Sequence, residues 1–332
     1  MIPTLSKNPL YTTEYGSAYV VDSLEALAQL PDNSINLVMT SPPFALQRQK
    51  EYGNKDEYDY VDWLAEFAKL VYQKLTPDGS FVVDLGGAYR KGHPVRSLYN
   101  YRVLIKFCDE IGFHLAEEFF WFNPSKLPSP IEWVNKRKIR AKDSVNTVWW
   151  LSKTEWPKAN VSNVLTEYSD RMKKLLKDPE AYYSPAKRPS GHDISNTFGK
   201  DNGGAIPSNL LQISNSEASS KYLKLCKEVG ISAHPARFPA KLPEFFIRFL
   251  TEPNDLVVDI FGGSNTTGYV CELEKRRWMA FEERKDYLSA SVFRFMQDSP
   301  INEIKSVFNE LMAEDENTTK HIKTNQHQLN LS

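Results

Sequence analysis

The chain has 332 residues, with 41% hydrophobic, 12% aromatic and 25% charged positions, which excludes a disordered polypeptide and leaves one large domain or two unequal ones. Its three cysteines (Cys108, Cys226, Cys271) are scattered without a CxxC pair, so neither a disulfide framework nor a metal site is expected, and no apolar run reaches membrane-spanning length. The formal net charge of −1 conceals a basic block: residues 121–200 carry 15 Lys or Arg against 8 Asp or Glu, as a nucleic-acid footprint or one solvated surface would.

No basic n-region followed by an apolar h-region opens the chain, so a reduced, cytoplasmic protein is expected. Along the chain, strand and helix patterns alternate. Ala18–Val21 reads as a strand, Ser23–Leu30 as a helix and INLVMT at 35–40 as a fully buried strand. Tyr60–Leu75 has helical spacing and stops at the turn Thr76-Pro77-Asp78-Gly79, after which SFVVDL at 80–85 is a third strand. A helix over Val103–Ile111 closes at Gly112, and Leu115–Phe122 and Val145–Ser152 are aromatic-rich strands. This rhythm predicts a mostly parallel, three-layer α/β sheet.

From 154 to 215 the rhythm breaks into a loop-rich module with five prolines and one basic helix near Ser169–Lys177. It resumes with a helix at Leu242–Leu250, a strand at Leu256–Phe261, a helix from Thr266 and a strand at Trp278–Phe281. From Ser299 onward the chain reads as a frayed helix and polar tail.

Two stretches carry chemistry. LVVDIFGGSNTTG at 256–268 runs an apolar strand into a glycine-rich turn and a helix start, where backbone N–H groups stay free for a ligand. About twenty residues on, the strand WMAF delivers Glu282, a carboxylate placed for ribose hydroxyls. Neither GxGxxG nor a P-loop is present, which leaves a nucleoside-type ligand without a pyrophosphate, or only a tight turn beside a surface Glu. Asp22, after the first strand, is a helix N-cap and a candidate base-binding group.

The second stretch is Ser41-Pro42-Pro43-Phe44, at the carboxyl end of INLVMT, where open α/β sheets bind ligands. The prolines turn the chain out of the sheet and supply no N–H, so the turn is rich in acceptors. Two acceptors, the Ser41 oxygen and the Pro42 carbonyl, suit an exocyclic amine on a planar base, and Phe44 could stack on its face. A plain strand-terminating loop is the structural alternative.

With both motifs in view, the chain resembles the S-adenosylmethionine-dependent DNA amino-methyltransferases. SPPF resembles the N4-cytosine form, since N6-adenine enzymes usually carry Asp or Asn in place of Ser41. The catalytic motif precedes the cofactor motif, as in the β-class permutation, and HPARFP at 234–239 looks like the family's segment before the cofactor turn. FNPSKLPSPIEWVNKRKIR and PSGHDI are similar to the CAGCTG-modifying branch of type II restriction–modification systems. The resemblance implies an α/β, three-layer, mostly parallel Rossmann-like methyltransferase sheet. It divides the chain into a catalytic half (1–153), a target-recognition region (154–215), a cofactor-binding half (216–300) and a polar C-terminal tail (301–332).

It further implies catalytic roles for Ser41, Pro42, Pro43 and Phe44. Asp259, Phe261, Gly262, Gly263, Ser264, Thr266 and Glu282 fall on cofactor positions, with Asp22, Pro235 and Phe238 beside them. Asn265 stands where the family's turn often has a second Gly, which makes the loop less permissive. Trp121 and Phe122 fall where the family has an aromatic near the flipped base, or are core residues of a strand. No cysteine sits in a context fit for the covalent attack that ring-carbon methylation requires, so amino methylation fits better.

An enzyme acting on a paired base must extract it from the duplex. Lys136, Arg137, Lys138 and Arg140 are candidates for phosphate contacts, while Arg171, Lys173, Lys187, Arg188 and His192 in the module are candidates for reading sequence. The expected partners are double-stranded DNA and, functionally, a restriction endonuclease, and the chain is expected to be a monomer. N6-adenine methylation and a catalytically silent DNA-binding protein on the same fold are the alternatives.

Overall fold

The buried apolar runs become neighbouring strands of one sheet. The computed structural model describes residues 2–45, 59–178, 200–215, 220–313 and 318–324. In chain order its elements are β1 (Tyr11–Thr12), β2 (Gly16–Val20), α1 (Ser23–Gln29), β3 (Ile35–Thr40), α2 (Asp59–Lys74), β4 (Leu75–Leu85), α3 (Tyr99–Ile105), β5 (His114–Phe122) and β6 (Val145–Ser152). There follow α4 (Asp170–Lys177), β7 (Leu210–Gln212), α5 (Lys221–Val229), α6 (Lys241–Leu250), β8 (Leu256–Asp259), α7 (Thr266–Leu273), β9 (Arg277–Glu282), α8 (Lys285–Ser291), α9 (Ile301–Ala313) and β10 (Lys320–His321).

The strand order is β10-β1-β2-β9-β8-β3-β4-β6-β5-β7. From β2 through β4 every neighbouring pair is parallel, and the antiparallel pairs are β1 with β2, β4 with β6 and β6 with β5. Alternate side chains of the central strands enter two separate cores. Leu37, Met39, Val82, Val257 and Trp278 pack under α5 to α9, whereas Val38, Phe81, Val83, Val258 and Met279 pack under α1 to α3. Burial on both faces explains why these strands read as unbroken apolar runs, and it makes the three layers.

Contacts divide the chain into Met1–Ala159 with Asn209–Ser332, and Asn160–Ser208. The smaller unit is narrower than the expected 154–215. Thr154 and Lys158 are held by Pro77 and Asp78 carbonyls at 3.0 and 2.9 Å, and Leu210–Gln212 adds to the sheet as β7. The two expected methyltransferase halves share one sheet, joined where β3 pairs with β8. Within the smaller unit the expected basic helix forms as α4, capped by Ser169, whose oxygen accepts the Met172 N–H at 3.3 Å. None of its residues is buried.

Two expectations are corrected. Thr76–Gly79 does not separate helix from strand: β4 begins at Leu75, and its pairing jumps from Ile35–Leu75 to Leu37–Ser80, so the segment bulges out within the strand's bounds. Nor are residues 301–332 simply a polar tail. Ile304, Val307, Phe308 and Leu311 recur at helical spacing and are buried, so α9 joins the core, and β10 pairs in parallel with β1.

Candidate active site

The carboxyl ends of β2, β9, β8, β3 and β4 lie along one edge of the sheet, and each delivers a polar group to it. In strand order these are Asp22, Glu282, Asp259, Ser41 and Asp84; Asn146 at the start of β6 and Trp121 near the end of β5 continue the row. They line one cavity of about 690 Å³, within the usual range for small-molecule sites. From β3 the chain moves on to β4, and from β8 to β9 on the other side, so the cavity opens where the sheet's winding reverses.

A hydrogen-bonded clasp fixes that seam. Asp259 accepts from Thr40 Oγ1 at 2.7 Å across the β3–β8 pair, from Thr267 Oγ1 at 2.6 Å and from the Phe261 N–H at 3.1 Å. Burial pushes its carboxyl upward from the usual range, against those three donors. With both oxygens occupied, Asp259 shapes the turn from within. The turn bends back under Glu282, whose carboxylate accepts the Gly263 N–H at 2.8 Å and the Arg284 N–H at 3.0 Å, and burial pushes its carboxyl upward as well. Arg294, buried, braces the outer side by donating to the Ser264 carbonyl at 2.8 Å and Ser264 Oγ at 3.0 Å.

Asn265 turns out to be an asset at its position. It sits at φ 51°, a left-handed conformation that Asn tolerates nearly as Gly does. Its Oδ1 caps α7 by accepting the Gly268 N–H at 3.1 Å, and its Nδ2 donates to the Tyr11 hydroxyl at 2.9 Å. A Cβ on Gly268 would lie 2.3 Å from that cap oxygen, so glycine is required there.

The turn faces an apolar wall. Phe261 packs against Trp63 and Phe67 of α2 at centroid distances of 5.7 and 5.0 Å, and Pro235 and Phe238 line the cavity with His234 and Arg237. Asp22 caps α1 by accepting the Leu24 N–H at 2.8 Å, and hydrogen-bonds Glu283, whose carboxyl is pushed up by burial and then by this neighbour. This half of the cavity fits a nucleoside carrying a cationic side chain: an apolar slot for the base, carboxylates for hydroxyls and charge, and a glycine turn that admits close approach.

Ser41, Pro42, Pro43 and Phe44 line the other half. The Ser41 hydroxyl donates to Asp84 Oδ2 at 3.1 Å, and Asn146 Nδ2 donates to Asp84 Oδ1 at 3.1 Å. Asp84 is buried, and burial lifts its pKa to about 6 against the opposing pull of Asn146, Ser41 and the charge of Lys126. Phe44 lies over Gly86, where a Cβ would come within 2.5 Å of its ring. Trp121 forms part of the wall, its indole N–H held by the Ile213 carbonyl at 2.8 Å, whereas Phe122 does not line the cavity.

All the residues expected at the catalytic and cofactor positions are thus gathered in one cavity. Sequence reasoning missed Asp84, Asn146, Asn123, Lys126, Trp63 and Glu283. Asp84 had a signal, because FVVDL at 81–85 repeats the pattern of LVVDI at 256–260. Among the expected phosphate ligands, Lys136 and Arg137 pair with Glu132 at 3.2 and 3.0 Å, and Arg140 donates to the Pro94 and Ile139 carbonyls. Such exposed pairs are weak. Lys187, Arg188 and His192 lie outside the described residues.

A carboxyl-edge cavity with an acceptor-rich proline turn on one side and a glycine turn beside a carboxylate on the other suits group transfer to a planar amine. In agreement, residues 35–293 match the family model described as DNA methylase, and the chain belongs to that family. It is 66% identical over 307 residues to the Type II methyltransferase M.PvuII of Proteus hauseri, covering 92% of this chain and 91% of that one. The Type II methyltransferase M.ScaI of Streptomyces caespitosus is 25% identical over 290 residues, covering 86% and 83% of the two chains. The solved structure of the cytosine-N4-specific PvuII DNA methyltransferase superposes with a TM-score of 0.78 at 56% identity, covering 96% of this chain and 99% of that one.

Proposed function

We propose that this protein transfers a methyl group from S-adenosylmethionine to the exocyclic N4 amine of a cytosine flipped out of duplex DNA. The target sequence is CAGCTG, and the modification protects host DNA from a partner restriction endonuclease. The observation that carries the reading is the Ser41–Asp84 pair, which sets an acceptor beside the Pro42 carbonyl at the mouth of an aromatic slot. The likeness to the cytosine-N4-specific enzyme supports it over its adenine counterpart.

An exocyclic amine is a poor nucleophile because its lone pair is drawn into the ring. The Ser41 hydroxyl donates its hydrogen bond to Asp84 and so turns its own lone pairs toward the cavity. The Ser41 oxygen and the Pro42 carbonyl then accept the two amine N–H groups, which favours a pyramidal nitrogen with its lone pair directed at the donor, and the proton that the nitrogen sheds on methylation leaves along the Ser41–Asp84 hydrogen bond. Phe44, backed by Gly86, stacks on the base and holds it for in-line attack. The cofactor supplies an electrophilic methyl group on a sulfonium. With the cofactor bound, Phe261 would flank its adenine, Glu282 would take its ribose hydroxyls, and Asp22, Pro235 and Phe238 would close the slot.

The 154–215 region, centred on the unit 160–208, reads the target. Lys136, Arg137, Lys138 and Arg140 hold phosphates, and the chain works as a cytoplasmic monomer, each strand of the site being modified in a separate event. The test is protection: a plasmid with CAGCTG sites, incubated with the protein and S-adenosylmethionine, becomes resistant to an endonuclease that cuts CAGCTG. Undiminished cutting overturns the assignment of target.

A further inference from the structure

The loop between β5 and β6 stands with both feet on the cavity, because Asn123, Lys126 and Ser144 all line it. Its first foot is braced from several sides. The Asn123 N–H donates to the Ser144 carbonyl at 2.9 Å, the Lys126 N–H to the Asn123 carbonyl at 3.2 Å, and the Ser125 N–H to Asn123 Oδ1 at 3.1 Å. The Lys142 ammonium donates to the Pro124 and Lys126 carbonyls, both at 3.1 Å, and the Ser125 and Ser214 hydroxyls share a hydrogen bond of 2.6 Å.

Out of this fixed backbone, one residue beyond the cavity-lining Lys126, Leu127 projects into solvent with 81% of its surface exposed. A lone exposed leucine is ordinary, but a leucine held out at the rim of this cavity by a ring of hydrogen bonds is placed for a partner that arrives there. Trp156 is as exposed, at 84%, yet it follows the far end of β6, on the sheet edge opposite the cavity.

We propose that Leu127 is the wedge that enters the duplex when the target base leaves it, filling the vacated place in the stack. The inference rests on reading the cavity as the receiver of the flipped base. Extrusion leaves the neighbouring base pairs without a stacking partner on one side and the orphaned base unpaired, and an apolar side chain slipped between the steps restores contact there. Because the loop is already ordered, insertion costs little backbone freedom. The basic residues Lys136, Arg137 and Lys138 on the same loop face a polyanion that brings the stack to it.

The experiment compares two CAGCTG duplexes, one fully paired and one with an abasic site opposite the target cytosine, where the base is already unpaired. For Leu127→Ala, kcat/KM is expected to fall on the order of 10- to 100-fold on the paired duplex, the worth of burying a leucine side chain. On the abasic duplex it is expected to stay near the wild-type value, and Leu127→Met is expected to retain activity on both. An equal loss on both duplexes, or no loss on the paired one, overturns the wedge. Phe44→Ala on the same duplexes separates the two claims: loss on both upholds the cavity as base receiver whatever Leu127 does, and unchanged activity on both overturns that reading and the wedge with it.

Discussion

Replacing Ser41 with alanine is expected to lower the single-turnover rate of methyl transfer on the order of 10²- to 10³-fold, the range seen when one preorganised hydrogen-bonding group is taken from a transition state. The reason is local. Position 42 follows as proline, so the chain offers no N–H there, and the serine oxygen and the proline carbonyl are the acceptors at the carboxyl end of β3. Alanine leaves one of the two amine hydrogens without a partner, and the nitrogen stays conjugated to its ring. Among the described residues the hydroxyl bonds to Asp84 alone, so the fold and the duplex affinity should hold. Fluorescence anisotropy on a labelled duplex, beside the turnover measurement, checks the split. A fall in DNA affinity parallel to the fall in rate would assign Ser41 to binding and remove it from the chemistry.

The second large effect is expected in the pH profile. Asp84 carries a pKa of about 6, raised by burial, and its unprotonated form is the one that accepts the Ser41 proton. Below that value the protonated carboxyl can donate to Ser41 instead, which directs the serine hydrogen toward the incoming amine. Turnover should therefore decline as the pH falls through about 6. Asp84→Asn should lose this limb and run at least tenfold slower, a hydrogen bond to a charged group being worth about 1.5–3 kcal/mol. Stability moves the other way. The folded pKa lies above the unfolded value of 3.8, so the native state binds the proton more tightly and is favoured at low pH. Between about pH 4 and 6 this group withdraws on the order of 3 kcal/mol of stability, an amount that denaturant titration of Asp84→Asn should show to be missing. A profile unchanged by the substitution would detach Asp84 from both effects.

How much could be read beforehand follows from how local each signal is. The central strands announce themselves because both faces are buried, and INLVMT and LVVDI each carry enough apolar residues to register alone. β1, β7 and β10 are two or three residues long, too short for any period, and exist only because a neighbouring strand accepts them. The helix at 301–313 was legible in its buried Ile304, Val307, Phe308 and Leu311, yet its many polar residues masked the pattern. In the site, the motifs on single strand ends were readable. Asp84 was not assigned, because its meaning comes from Ser41, 43 residues earlier, and Asn146, 62 residues later, and only the sheet order brings these together. The same holds for Lys126 and Leu127, which are unremarkable in sequence until the feet of their loop are seen on the cavity. At 76–79 a proline-glycine segment signals a break in sequence, and the sheet absorbs it as a bulge.

The most direct test of the central claim is the identity of the product. Purified protein is incubated with methyl-labelled S-adenosylmethionine and a duplex containing CAGCTG, the DNA is digested to nucleosides, and the labelled nucleoside is identified by chromatography and mass. The Ser41–Asp84 pair beside Pro42 predicts label on an exocyclic amine, and the likeness to the cytosine-N4-specific enzyme predicts that it is found in N4-methylcytosine and in no other nucleoside. Label in N6-methyladenine would contradict the reading of the base slot while keeping the fold and the cofactor, and an unlabelled digest would contradict the transfer itself.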